Sequence, residues 1–379
     1  MYNYQKNNRY FASVADDIKD IAEIELLNLG AQAITPGYKG VYFTASKESL
    51  YTINLYTRLV NRILAPFVTF NAETEDQLYQ NALEIEWEKL FSNKETFAIF
   101  ASVSGSNITH SKYASLKLKD AIVDRFRNLT GIRPNVETKD PDIWFNLHIE
   151  ENVAVISVDT SGGSLHKRGY RKDAVEAPMV ETLAASIIKL AEWDCITPIY
   201  DPMCGSGTLL CEAYLIATNT PSAFNRTKFG FERLPDFDKD LWRSIKEKSK
   251  RHIKPLKEGL IAGSDVSREA VRATLKNLDS INPNHNIQIR QVNMFDIKEL
   301  SNTTIVCNPP YGIRLKSNVD LSDFYKSVGD FLKQKCKGSN AYIYFGDREY
   351  LKKIYLKAKW KKPLQNGGLD GRLAKFEMF

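Results

Sequence analysis

Two short stretches carry residues whose types and spacing could do chemistry. In PIYDPMCGSGTLLCEAYL (198–215) a short apolar run meets a glycine-rich turn and then a run that reads as helix. Gly205 and Gly207 permit backbone angles and close approaches that other residues resist, and Thr208 suits a helix start. The backbone amides of that turn would then face a ligand. Further along, TIVCNPPYGIRL (304–315) puts an apolar strand directly before Asn308-Pro309-Pro310-Tyr311. Consecutive prolines remove two backbone donors and stiffen the loop, so the Pro309 carbonyl and the Asn308 amide can form a fixed polar pair. Tyr311 adds a flat face for a base. Taken singly, each stretch also reads as an ordinary turn.

The rest of the chain must position these turns. At 379 residues it exceeds a usual single core, so two or three domains are expected. A composition of 43% hydrophobic and 26% charged residues is that of a soluble globular protein. No apolar run is long enough to span a membrane, and residues 1–10 are polar, which predicts a cytoplasmic protein. The five cysteines contain no Cys-x-x-Cys, so neither a disulfide framework nor a metal site is expected. Charge is uneven: residues 1–164 hold 16 Lys+Arg against 21 Asp+Glu, a balance of −5, and residues 165–379 hold 36 against 25, or +11. A basic carboxyl-terminal part suits a phosphate-bearing partner, although scattered lysines are also what a solvated face carries.

Residues 10–70 alternate as β-α-β-β-α-β, the order of a small ferredoxin-like domain. Helices and strands continue through 73–159, where Lys112, Lys117, Lys119, Arg125 and Arg127 could form a basic stripe or an ordinary helix surface. Residues 161–176 read as a basic linker with His166, Lys167, Arg168, Arg171 and Lys172, either a solvated hinge or a substrate contact. Pro178 is expected to open a helix with Leu183, Ala184, Ile187 and Ile188 on one face. From 198 onward strands and helices alternate as in a doubly wound sheet, ending in a hairpin. Residues 220–258 interrupt this as a helical insertion, with Phe229, Phe231, Phe237 and Trp242 expected to form its own small core. The boundaries are 1–70, 71–163 and 164–379.

Together and in this order, the two turns resemble the class I S-adenosylmethionine-dependent methyltransferases, in the amino-methylating branch that carries Asn-Pro-Pro-Tyr. DPMCGSGTLLCEA (201–213), SLHKRGYR (164–171) and APMVETLAASI (177–187) are similar to the THUMP-domain guanine-N2 methyltransferases of large-subunit ribosomal RNA. The resemblance covers nearly the whole chain. It implies an α/β architecture, a Rossmann-like methyltransferase domain with a terminal β-hairpin, preceded by a ferredoxin-like plus THUMP α+β region. It implies S-adenosyl-L-methionine as cofactor, S-adenosyl-L-homocysteine as product, and 23S ribosomal RNA or an assembly intermediate as partner. Cofactor contacts fall on Asp201, Pro202, Met203, Cys204, Gly205, Ser206, Gly207 and Thr208, on Asp265 and Val266, on Asn293, Met294 and Asp296, and on Asn308. RNA contacts fall on Lys112, Lys117, His166, Lys167, Arg168, Arg171 and Arg314.

Within that frame Asp201 suits the methionine ammonium, and Asp265 suits the ribose hydroxyls because one carboxylate accepts two donors. Asn293 and Asp296 compete for the adenine amino group. The lone pair of a guanine amine is delocalised into the ring, so attack requires its localisation. Asn308 and Pro309 supply two acceptors for the amine hydrogens, and Tyr311 would stack on a base that has left its helix. The methylated ammonium is acidic enough to lose its proton to water, so no histidine base is called for. A nicotinamide dehydrogenase fits less well: the third fingerprint glycine position is Leu210, and that class has no use for Asn-Pro-Pro-Tyr. A non-catalytic RNA-binding module, a tRNA guanine-N2 enzyme and an adenine-N6 enzyme also stay open.

Overall fold

In Arg9–Ser13 the side chains of Tyr10 and Ala12 are buried while Arg9 is exposed, the period-2 pattern of a strand with one face on a core. The computed structural model describes residues 1–172, 179–310, 320–367 and 369–379. They divide into two compact units, one of residues 1–14, 23–165 and 226–247, the other of 15–22, 166–225 and 248–379.

The first unit is an eight-stranded sheet. Its strands are β1 (Arg9–Ser13), β2 (Gln32–Gly37), β3 (Gly40–Thr44), β4 (Arg62–Asn71), β5 (Thr96–Ser104), β6 (Asn135–Val136), β7 (Ile143–Glu150) and β8 (Val153–Asp159), in the order β2-β3-β1-β4-β8-β7-β5-β6. Strand β4 joins two halves, pairing antiparallel with β1 (Phe11 opposite Leu64) and with β8 (Leu64 opposite Asp159). Helices α1 (Asn3–Asn7), α2 (Lys19–Asn28), α3 (Lys47–Tyr56), α4 (Glu75–Leu83) and α5 (Ser111–Thr130) connect them. On α5 the buried Ala114, Leu118, Ala121, Ile122 and Phe126 follow helical spacing, and Gly131 ends it with φ +73°. The β-α-β-β-α-β order expected for residues 10–70 is present; the short α1 and β6 were not foreseen.

Residues 226–247 group with this first unit. Phe231 stacks on Tyr51 of α3 (4.4 Å between centroids), and Phe237 and Trp242 lie 5.8 and 6.1 Å from the same ring. Arg233 pairs with Glu95, and Arg226 donates to the carbonyls of Ser161, Gly162 and Ser164. The insertion's aromatics therefore do not make a core of their own. A segment this short buries too little apolar surface by itself and completes a neighbouring core instead.

The second unit is a seven-stranded sheet of β9 (Ile199–Asp201), β10 (Ile261–Asp265), β11 (Gln288–Gln291), β12 (Thr304–Cys307), β13 (Asn340–Phe345), β14 (Trp360–Pro363) and β15 (Arg372–Glu377), in the order β11-β10-β9-β12-β13-β15-β14. The first five are parallel, and β15 and β14 close the edge as an antiparallel hairpin. Helices α6 (Glu181–Leu190), α7 (Thr208–Ala217), α8 (Lys239–Arg251), α9 (Arg268–Ile281), α10 (Leu321–Lys335) and α11 (Tyr350–Lys353) follow in chain order, α8 running from one unit into the other. Pro178 lies outside the described residues, and α6 begins at Glu181 after Val180, so proline is not its first residue. Because β9 is central, the chain leaves it toward β10 on one side and reaches β12 on the other. That reversal opens a crevice at the carboxyl ends of β9, β10 and β12.

Candidate active site

Each of those three strand ends delivers one of the chemically distinctive residues. β9 ends at Asp201, β10 at Asp265, and β12 runs directly into Asn308. Between β9 and α7 the turn at 203–207 is held from several sides. Cys204 N donates to Ser264 O (2.9 Å) and Gly205 N to Asp265 Oδ2 (2.9 Å), while Thr274 Oγ1 donates to Gly205 O (2.8 Å) and Asn277 Nδ2 to Ser206 O (2.9 Å). Gly207 has φ +76°, and a Cβ there would sit 2.5 Å from Thr274 Cγ2, so only glycine lets α9 approach the turn this closely.

Thr274 and Asn277 were not foreseen from the sequence. Their signal is a pair of polar residues on the buried face of α9, beside Ala270, Ala273 and Leu278. Side chains on that face satisfy the carbonyls a glycine turn leaves exposed.

Asp201 is buried at 1% exposure. Burial pushes its carboxyl well above the usual range, with Asp265 adding to the effect and the Met203 amide, donating to Oδ1 at 3.1 Å, opposing it. Asp265 is half-buried and also accepts Ser267 N on Oδ1 (2.9 Å), so both its oxygens brace the backbone while each keeps a further lone pair. Val266 is exposed. Asn293 caps the turn Met294–Asp296, its Oδ1 accepting Phe295 N at 3.1 Å; Met294 is buried, Asp296 exposed. Cys204 and Cys307 are buried thiols pushed up by desolvation, hence inert packing groups.

Asn308 is half-buried, yet its Oδ1 is buried and has no hydrogen-bond partner. Pro309 is buried, and the Pro310 carbonyl accepts Tyr325 Oη at 3.3 Å. Tyr325 is itself fixed, stacked on Tyr350 at 4.9 Å and Phe345 at 5.6 Å. The sequence expectation missed this aromatic post on α10. Tyr311 and Arg314 lie outside the described residues.

The expected RNA-contacting residues do not share one surface. Arg168 is a correction: its side chain has no exposure and pairs with Glu212 of α7 at 3.4 Å, which Tyr170 Oη also contacts at 3.0 Å. A guanidinium without solvent access cannot meet a phosphate. The clue was Glu212, a lone acid within the apolar run TLLCEAYL, since such a buried charge needs a partner. Arg171 is also engaged. Its Nε donates to Glu181 Oε1 (3.0 Å), its Nη2 to Met179 O (2.8 Å) and Thr208 Oγ1 (3.3 Å), and its buried Nη1 has no partner. It therefore sits at the helix side of the glycine turn. Lys167 is exposed and His166 half-exposed, with Lys167 and Arg171 lining one 410 Å3 crevice. On α5, Lys112 is exposed and Lys117 rests over Tyr113, but Lys119, Arg125 and Arg127 are paired with Asp120, Glu88 and Asp124.

Among known families, the methyltransferase domain described as RMKL-like matches residues 168–375, a THUMP domain matches 72–159, and the RlmL ferredoxin-like domain matches 9–64. A Synechocystis sp. protein named "Putative RNA methyltransferase slr0064" is 37% identical over 98% of this chain and 97% of its own. The ribosomal RNA large subunit methyltransferase K/L of Syntrophotalea carbinolica is 34% identical over 98% of this chain and 53% of its own, so the chain spans about half the length of that relative. Among solved structures, SMU.472 complexed with SAH superposes with a TM-score of 0.83 at 27% identity, covering 98% of both chains. A Listeria monocytogenes chain named a "predicted N6-adenine-specific DNA methylase" gives 0.83 at 25% identity, over 99% of this chain and 97% of that one.

Proposed function

Because this chain belongs to the RMKL-like methyltransferase family, we infer that its strand-end crevice carries out methyl transfer to an RNA amine. We propose the exocyclic N2 of a guanine in large-subunit (23S) ribosomal RNA, free or in an assembly intermediate, as the acceptor. The methyl donor is S-adenosylmethionine. When bound it supplies an electrophilic methyl group on a sulfonium and leaves as S-adenosylhomocysteine.

The residues at the glycine turn suit that zwitterion. Asp201, buried and pushed up, gains from a neighbouring ammonium, which favours its ionised form. Arg171, at the other side of the turn with a buried and unpartnered Nη1, matches the methionine carboxylate. The turn 203–207 lets the backbone approach the methionine, and Asp265 keeps lone pairs for the ribose hydroxyls. With Asn293 Oδ1 already accepting Phe295 N, the adenine end is left to its remaining lone pair or to Asp296. In this reading Arg171 serves the cofactor and not RNA.

One observation carries the substrate chemistry: Asn308 Oδ1, a buried acceptor with no partner at the end of β12. Leaving a buried carbonyl oxygen unpaired costs about 1–3 kcal/mol, and an amine hydrogen offered there offsets it when the substrate is bound. Paired with the Pro309 carbonyl, it directs the amine lone pair and stabilises the positive charge that grows on nitrogen. Tyr325 holds the loop through Pro310 and so fixes both acceptors. Tyr311 stacks on the extruded base. Water removes the proton.

Adenine N6 presents the same two amine hydrogens, and the Listeria relative's name makes it the second reading. Labelled methyl transfer to ribosomal RNA from a strain lacking this protein, followed by nucleoside analysis, separates them. The proposal expects label in N2-methylguanosine; label confined to N6-methyladenosine or to transfer RNA overturns it.

A further inference from the structure

Strand alternation gives the eight-stranded sheet two different faces. On β7, Phe145, Leu147 and Ile149 are fully buried, whereas Trp144 and His148 are only half-buried on the opposite side. That opposite side is open. It carries a 740 Å3 groove lined by β1, β3, β4, β5, β7 and β8, including Phe11, Tyr42, Arg62, Phe100, Asn146 and His148. Its composition is unlike that of a plain solvated sheet face, which would be polar and charged.

The aromatics occur with arginines. The Arg62 guanidinium lies 4.3 Å from the centroid of Phe100 and 4.9 Å from that of Trp144. Arg62 is also anchored to Asp159, which is fully buried and accepts the amides of Ser161 and Gly163. Its plane is thus held, with little side-chain entropy left to lose on binding. A second pair repeats the arrangement on the ferredoxin-like strands: Arg9 lies over Tyr42 at 4.5 Å, and Phe11 packs edge-on to that ring at 5.0 Å. Polar groups stand between them, with Ser102 Oγ hydrogen-bonded to His148 Nδ1 at 2.8 Å.

We propose that this open face binds an unpaired segment of the RNA, by stacking bases on the aromatic and guanidinium planes. The inference rests on the reading of the chain as an RNA methyltransferase and assigns its substrate-recognition surface. Aromatic rings and arginine planes accept any base face, and the side-chain amide and imidazole can read base edges. A groove of this volume, within the roughly 300–1,000 Å3 that encloses a small ligand, admits a few splayed nucleotides and excludes a duplex. Charge agrees locally: Arg9, Lys39 and Arg62 face the groove region, against Glu150 and the buried, already paired Asp159. The negative balance of the amino-terminal half therefore does not describe this face.

The test measures fluorescence anisotropy of a labelled unstructured RNA octamer on the full chain, at one salt concentration. Variants are Trp144→Ala, Tyr42→Ala and Arg62→Lys, the last keeping a cation beside Asp159. Each alanine variant should weaken binding roughly 5- to 150-fold, the equivalent of one lost stacked base. Arg62→Lys should weaken it while leaving the melting temperature near that of the wild type. Lys112→Ala on α5 should change little, and a duplex of the same sequence should bind the wild type more weakly than the single strand. Equal octamer affinity in the groove variants and the wild type overturns the proposal. So does a change in sedimentation with RNA affinity unchanged, which would make the face a contact for a second copy. S-adenosylhomocysteine binding is measured alongside: its loss in the wild type would refute the methyltransferase reading, and its retention with groove-independent RNA binding would refute only this one.

Discussion

Replacing Asn308 by alanine should move activity and stability in opposite directions. Its Oδ1 is buried and unpartnered, so the folded protein without substrate bears the cost of a dehydrated acceptor, about 1–3 kcal/mol. Alanine removes that cost and leaves a small void in its place, so the net change should lie between zero and a gain of about 2 kcal/mol. For a domain of this size 1 kcal/mol corresponds to ~2–4 °C in melting temperature. Turnover should behave otherwise. An acceptor whose bond strengthens as the amine becomes cationic acts mainly in the transition state, and losing one such group typically costs roughly 100- to 1,000-fold in rate. Single-turnover methyl transfer with RNA and cofactor both saturating reports that step without contributions from binding. The expected variant melts at or above the wild-type temperature, binds both ligands within a few-fold, and transfers methyl on the order of 100-fold more slowly or worse. A normal rate refutes the polarising role. A variant that loses rate and melts far lower would show instead that Asn308 holds the loop together.

Three outcomes concern the second unit. Because the Asp201 carboxyl is raised by burial, the folded state binds more protons than the unfolded one between the two pKa values, and stability falls as pH rises through that window. Asp201→Asn should therefore raise the melting temperature of the ligand-free protein at neutral pH while weakening cofactor binding; calorimetry in buffers of different ionisation enthalpy should show proton release on binding in the wild type and none in the variant. Arg171→Gln should weaken S-adenosylhomocysteine far more than its decarboxylated analogue, measured by titration; equal losses would detach Arg171 from the carboxylate. Arg168→Ala strands Glu212 without its cation and should destabilise the unit by about 3–5 kcal/mol in denaturant unfolding, whereas a mild effect confined to RNA affinity would return Arg168 to the surface.

Much of this protein was legible in its residues because the signals are local. Period-2 runs set β1 and β7, helical spacing set α5, and the glycine after α5 stops it with positive φ. Asp201, Asp265 and Asn308 each stand where an apolar run ends, so the order of strands and helices alone brings them to one crevice. Other features depend on partners distant in the chain, and only tertiary packing decides them. Arg168 and Lys167 are adjacent in one basic string, yet one is sealed against Glu212 and the other lies in solvent. Thr274 and Asn277 gain their role from the glycine turn that α9 crosses, and the aromatics of 226–247 gain theirs from Tyr51. The sheet groove gathers side chains from strands as far apart in the chain as β1 and β8. Periodicity specifies which way a side chain points from its own element; what it meets there, and whether water reaches it, is set by the elements that pack or fail to pack against that face.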